Sequence, residues 1–123
     1  SEGCHMGLST HVLDTMHGCP AAGMAVELWE TSADGQSTRL QAFTLNDDGR
    51  NPSGLLIADD ALQVGTYRLV FDVAGYFAEK GVALPKPNFL NQVSLDFGVA
   101  ESGAHYHVPL LVSPWSYSTY RGS

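Results

Sequence analysis

Alternation constrains this chain more than anything else in it. Apolar and polar side chains trade places residue by residue in short runs, and Gly, Pro, Asn and Asp cut the runs apart. In Tyr67 to Val73, the residues Tyr67, Leu69, Phe71 and Val73 point one way while Arg68 and Asp72 point the other, a period of two that belongs to strands. Val93, Leu95 and Phe97 against Gln92, Ser94 and Asp96 repeat it. Further strands are predicted over Leu8 to Asp14, Met24 to Thr31, Arg39 to Leu45, Ala104 to Val112 and Trp115 to Arg121. Asp34-Gly35, Asp48-Gly49 and Glu101-Ser102-Gly103 supply turn chemistry between them. Ala74 to Gly81 departs from the pattern and predicts two helical turns stopped by the glycine. Such a chain is all-β, a sandwich or barrel with one short helix.

At 123 residues the chain has material for one core, so 7–123 is read as a single domain. Ser1 to Met6 pattern with nothing downstream, and His5-Met6 reads as a junction before the native start, so 1–6 are set apart. A net charge of -7 argues against nucleic-acid partners, because an acidic surface repels phosphates. No apolar run is long enough to cross a bilayer as a helix, so no membrane partner is expected. With Cys4 set apart, Cys19 is the one cysteine of the body, which implies no disulfide framework and a reducing compartment. The default location is cytoplasmic; a removed leader would leave no trace, which keeps the periplasm open.

Three strands carry apolar or aromatic groups on both faces. Thr10 and Val12 oppose His11 and Leu13; Tyr106, Val108, Leu110 and Val112 oppose His105, His107, Pro109 and Leu111; Trp115, Tyr117 and Thr119 oppose Ser116, Ser118 and Tyr120. A second face of His, Leu, Pro and Tyr is seldom left to solvent; it covers a ligand site or a partner subunit. Homo-oligomerisation is therefore expected. Pro109 inside such a strand predicts a local bulge.

Among the histidines, His17 before Gly18-Cys19-Pro20 reads as a solvated loop residue, and His105 beside a glycine turn as exposed and peripheral. His11 and His107 sit on the second, partly apolar faces, where a polar ring needs a partner. By residue type alone they are more readily structural than functional. Arg50, which closes the Asn46-Asp47-Asp48-Gly49-Arg50 loop, and the terminal Tyr120-Arg121-Gly122-Ser123 are their candidate company.

On these residues the chain resembles the transthyretin-like hydroxyisourate hydrolases from Gly7 to Ser123. The resemblance rests on Leu8-Ser9-Thr10-His11-Val12-Leu13-Asp14 with Gly18, Pro20 and Ala21, on Asp48-Gly49-Arg50, on His105-Tyr106-His107-Val108-Pro109-Leu110-Leu111, and on Ser116-Tyr117-Ser118-Thr119-Tyr120-Arg121-Gly122-Ser123. It implies a transthyretin-like (prealbumin-like) β-sandwich of two four-stranded sheets, and a homotetramer built as a dimer of dimers around a channel that holds the sites. It implies hydrolysis of 5-hydroxyisourate, a cyclic amide, in urate (purine) degradation, without a cofactor. Carriers with the same fold are expected to lack His11, Arg50, His107 and the terminal Tyr-Arg-Gly-Ser, so residues rather than fold separate enzyme from carrier.

The chemistry needs a base for water, a donor for the oxyanion and a proton for the leaving nitrogen. His11 and His107 are the candidate base and acid, in an order the sequence leaves open, with Arg50 as a charged fork for the substrate's carbonyls. Tyr120 is a candidate catalytic hydroxyl; Ser118, Tyr120, Arg121, Gly122 and Ser123 are candidate substrate contacts beside Arg50. A zinc site of His11, His105 and His107 is the rival within catalysis, disfavoured because Arg50 would repel a cation. A carrier of a small aromatic ligand is the rival outside it.

Overall fold

The computed structural model describes residues 7–58 and 61–122. In chain order its elements are β1 (Gly7–Asp14), β2 (Cys19–Pro20), β3 (Ala25–Thr31), β4 (Ser37–Thr44), β5 (Ile57–Ala58), β6 (Gly65–Asp72), α1 (Val73–Glu79), β7 (Gln92–Val99), β8 (His105–Val112) and β9 (Tyr117–Thr119). One sheet runs β2-β1-β8-β9 and the other β4-β3-β6-β7. Each path has the expected four strands, and the first sheet gains a fifth because the two-residue β5 also pairs with the start of β1, Leu8 against Ile57.

The alternation decides what lies between the sheets. Leu8 and Val12 of β1 and Tyr106, Val108, Leu110 and Val112 of β8 are buried, as are Val26, Leu28, Leu69, Phe71, Val93 and Leu95 of the other sheet. Each such apolar side chain contributes about 1.5–3 kcal/mol when fully buried. Asp72 caps α1, its carboxylate accepting from the Gly75 N–H at 3.1 Å, and the helix buries Val73, Tyr76 and Phe77. Gly81, with φ of +78°, turns the chain away after it. Among the described residues no helix is long and apolar enough to cross a membrane.

One local expectation is corrected. Pro109 makes no bulge: β1 and β8 pair in parallel without a break from Gly7 against His105 to Asp14 against Val112. On the other edge of β8, Leu110 against Thr119 and the bridge of His107 to Gly122 share one register, so the proline skips a rung without shifting the ladder. The irregularity lies instead in β4, where Leu28 faces Gln41 and Trp29 faces Arg39, leaving Leu40 unpaired on an edge strand.

His17 lies exposed in the turn after β1, as expected, and is also tied to the end of that strand. Its backbone N–H donates to Asp14 Oδ1 at 2.9 Å and its Nδ1 lies 2.6 Å from Asp14 Oδ2, while the Tyr76 hydroxyl donates to the same Oδ2 at 2.7 Å. Asp14 is wholly buried. Burial alone would push its carboxyl up, but these hydrogen bonds outweigh it and hold the group below the ordinary carboxylate value. The Tyr76 phenol is pushed up by burial and by Asp14.

Candidate active site

The outward side chains of β1 and β8 form the floor of the site. Parallel register sets Ser9 beside His107, and the Ser9 Oγ lies 2.8 Å from His107 Nδ1. His11 stands next on β1, opposite Pro109. The outer edge of β1 is covered by three short pieces: β5, β2 and, between them, the loop that ends at Arg50.

That loop folds as its sequence requires. Asn46 Oδ1 accepts from the N–H groups of Asp48 at 2.9 Å and Arg50 at 3.1 Å, an Asx-type turn. Gly49 then takes φ of +73° and brings its carbonyl to the Val12 N–H at 3.0 Å. A Cβ on Gly49 would stand 2.6 Å from the Val12 carbonyl oxygen, so only glycine lets the loop lie this close. The approach bridges Arg50 to His11.

Burial and a charged guanidinium act on the two imidazoles in the same direction. Burial and then Arg50 lower His11 below the ordinary imidazole value, against a smaller upward pull from Asp48. Burial, Arg50, His105 and His11 lower His107. Both rings are therefore neutral at neutral pH, with lone pairs free to accept protons. Beside them opens a cavity of about 890 Å³ whose lining includes Ser9, Arg50, Asn51, Ser53, His105 and His107, with His11 just outside the lining.

The predicted residues divide into two groups. His11, Arg50 and His107 come together, and Gly122 joins them: its N–H donates to the His107 carbonyl at 2.7 Å, and a Cβ there would meet His107 Cδ2 at 2.7 Å. Ser118, opposite Leu111, shares the outer face but does not line the cavity. Arg121 turns the other way. Its guanidinium lies 4.0 Å over the Tyr106 ring and Nη2 donates to the His105 carbonyl at 3.0 Å. With the exposed Tyr120 it lines a separate apolar groove of about 310 Å³ beside Phe97, Tyr106 and Val108. Ser123 lies outside the described residues, as do residues 1–6.

Most cavity residues escaped the sequence reading, His105 and Asn51 among them. His105, expected to be peripheral, lines the cavity with its ring parallel to that of His107, at 4° and 6.4 Å between centroids. Asn51 is 4% exposed, and its Oδ1 accepts from the Ser53 N–H at 3.4 Å. Strand parity gave the signal for His105; Asn51 follows the motif arginine in a loop where parity says nothing. Among the described residues no three His, Cys, Asp or Glu side chains are grouped so as to hold a metal ion.

The model of the HIUase/Transthyretin family matches residues 8–122. The chain is 52% identical over 117 residues to the 5-hydroxyisourate hydrolase of Pseudomonas aeruginosa, covering 94% of this chain and 90% of that protein. It superposes on (S)-allantoin synthase with a TM-score of 0.89 and 44% identity, covering 98% of this chain but 44% of that one, so it corresponds to less than half of that protein. On sea bream transthyretin in complex with thyroxine the TM-score is 0.81 at 28% identity, covering 94% of this chain and 93% of that one.

Proposed function

Because the chain belongs to the HIUase/transthyretin family, we propose that it is an enzyme that hydrolyses 5-hydroxyisourate to 2-oxo-4-hydroxy-4-carboxy-5-ureidoimidazoline in urate degradation. The observation that carries this reading is the convergence of His11, Arg50 and His107, two neutral imidazoles beside a permanent cation, with Arg50 and His107 on the wall of a cavity. A neutral imidazole takes the proton of the attacking water, and an imidazole returns one to the leaving ring nitrogen. Arg50 grips the substrate's carbonyl edge, where its planar fork serves better than an ammonium. The likeness to a thyroxine-bound transthyretin concerns the backbone, and a fold hosts carriers and enzymes alike.

The protein assembles as a homotetramer, a dimer of dimers with the histidine faces turned inward. Support comes from the half-buried Leu13 and Leu111 on that face, and from Trp115, Tyr117 and Tyr120, which are 54%, 45% and 61% exposed along β9 and its flanks. Adding the protein to freshly generated 5-hydroxyisourate should accelerate the decay of its absorbance; a decay no faster than the spontaneous one favours the carrier. Sedimentation that finds a monomer at micromolar concentration removes the assembly.

A further inference from the structure

His105 and His107 project from one face of β8 with parallel rings, yet their second nitrogens meet different surroundings. His107 Nδ1 has the Ser9 hydroxyl at 2.8 Å, a group that both donates and accepts, so the His107 proton can sit on either nitrogen. His105 Nδ1 is buried and has no partner. An N–H in that position would be an orphaned buried donor, which folded proteins avoid more strictly than an unpaired acceptor. The neutral ring therefore keeps its lone pair on Nδ1 and its proton on Nε2. The residue lines the cavity, and Nε2 is not among the buried atoms without a partner, as an N–H that faces the cavity requires. The backbone beneath is fixed by Arg121, which donates to the His105 carbonyl.

We propose that His105 is a further substrate-facing residue, a hydrogen-bond donor whose Nε2–H is held toward a carbonyl oxygen of the bound substrate, while His11 and His107 move the protons. The proposal rests on the hydrolase reading for the identity of that substrate. The two stacked histidines thus divide the work: one can exchange tautomers, the other presents a donor of fixed sign.

Position along the side chain tests it. A glutamine amide places an N–H near the site of Nε2, an asparagine amide near that of Nδ1. His105→Gln should keep kcat/KM within about threefold, whereas His105→Ala and His105→Asn should each lose about tenfold or more, the size of one hydrogen bond. Nitrogen-15 NMR of the neutral His105 ring should show the proton on Nε2. A proton on Nδ1, an alanine variant equal to the wild type, or glutamine and asparagine variants that behave alike would each overturn the proposal. Should the wild type fail to turn over 5-hydroxyisourate, the hydrolase reading falls by itself. The same three variants are then compared by calorimetric affinity for urate, a stable ring with the same carbonyl edge, under the same criteria, and a wild type that does not bind urate overturns the proposal.

Discussion

On the outer face of the β4-β3-β6-β7 sheet, polar side chains find one another along and across strands. Arg68 Nε donates to Asp96 at 2.6 Å, Arg39 lies 3.3 Å from Glu27, Trp29 Nε1 donates to Glu27 at 3.0 Å, and the hydroxyls of Thr31 and Thr66 meet at 2.6 Å. The outer face of the β2-β1-β8-β9 sheet is finished differently. There a guanidinium is set beside imidazoles it repels when they are protonated, and a ring nitrogen is left without a partner. Both sheets obey one alternation inward; outward, the first face is satisfied within itself and the second waits for something to bind.

Substitution should separate the two faces, most sharply in turnover. His11→Ala and His107→Ala are each expected to lower kcat by about 10²–10⁴-fold, the usual contribution of a positioned acid or base, with the circular dichroism unchanged. Arg50→Gln should move the pH profile as well. The neutral imidazole is the working form and burial with Arg50 holds it below its ordinary value, so activity falls only as pH drops through that lowered value. Without the cation the value rises and the falling limb moves to higher pH; a limb that stays or moves lower breaks the electrostatic account.

Next in size is Gly49→Ala. The left-handed backbone and the contact with the Val12 carbonyl should cost about 1–3 kcal/mol or more in denaturant unfolding and pull Arg50 from His11, lowering activity with stability. Tyr76→Phe removes a buried donor to Asp14 and should cost about 1–3 kcal/mol, with turnover retained. Because Asp14 is held below its ordinary value, the stability it supplies is present above the unfolded carboxylate's pKa and is lost as pH falls through the folded one. The loss in Tyr76→Phe should therefore shrink in acid, as unfolding curves at two pH values would show. Smallest is Arg68→Ala, which opens an exposed pair worth about 0.2–1 kcal/mol and should leave kcat unchanged. A large loss of turnover there would erase the contrast between the faces.

The inward pattern was legible because burial on one side of a strand writes itself as a period of two. Tyr67, Leu69 and Phe71 are buried as that pattern says. Strands of two residues leave no period, and β2 and β5 went unseen for that reason. The buried bond of Asp14 to Tyr76 was not legible because the hydroxyl lies 62 residues along the chain. Arg121 was legible and was misplaced. It shares parity with Tyr117 and Thr119, whose register partners Val112 and Leu110 point into the core, and it accordingly sits over Tyr106. The terminal tetrapeptide read as one unit hid the alternation inside it.

The parallel pairing of β1 with β8 also has a history in time. Ser9 and His107, in contact in the finished molecule, are 98 residues apart. At a synthesis rate of about 5–20 residues per second, β1 leaves the ribosome seconds before its neighbour exists. During that interval one edge of a strand carrying Leu8 and Val12 has no mate. Contacts of such long reach slow folding, because loop closure must be achieved before they return anything. Competence for catalysis thus waits for β8 to emerge, and a fragment ending before His105 holds part of the constellation with no means of completing it.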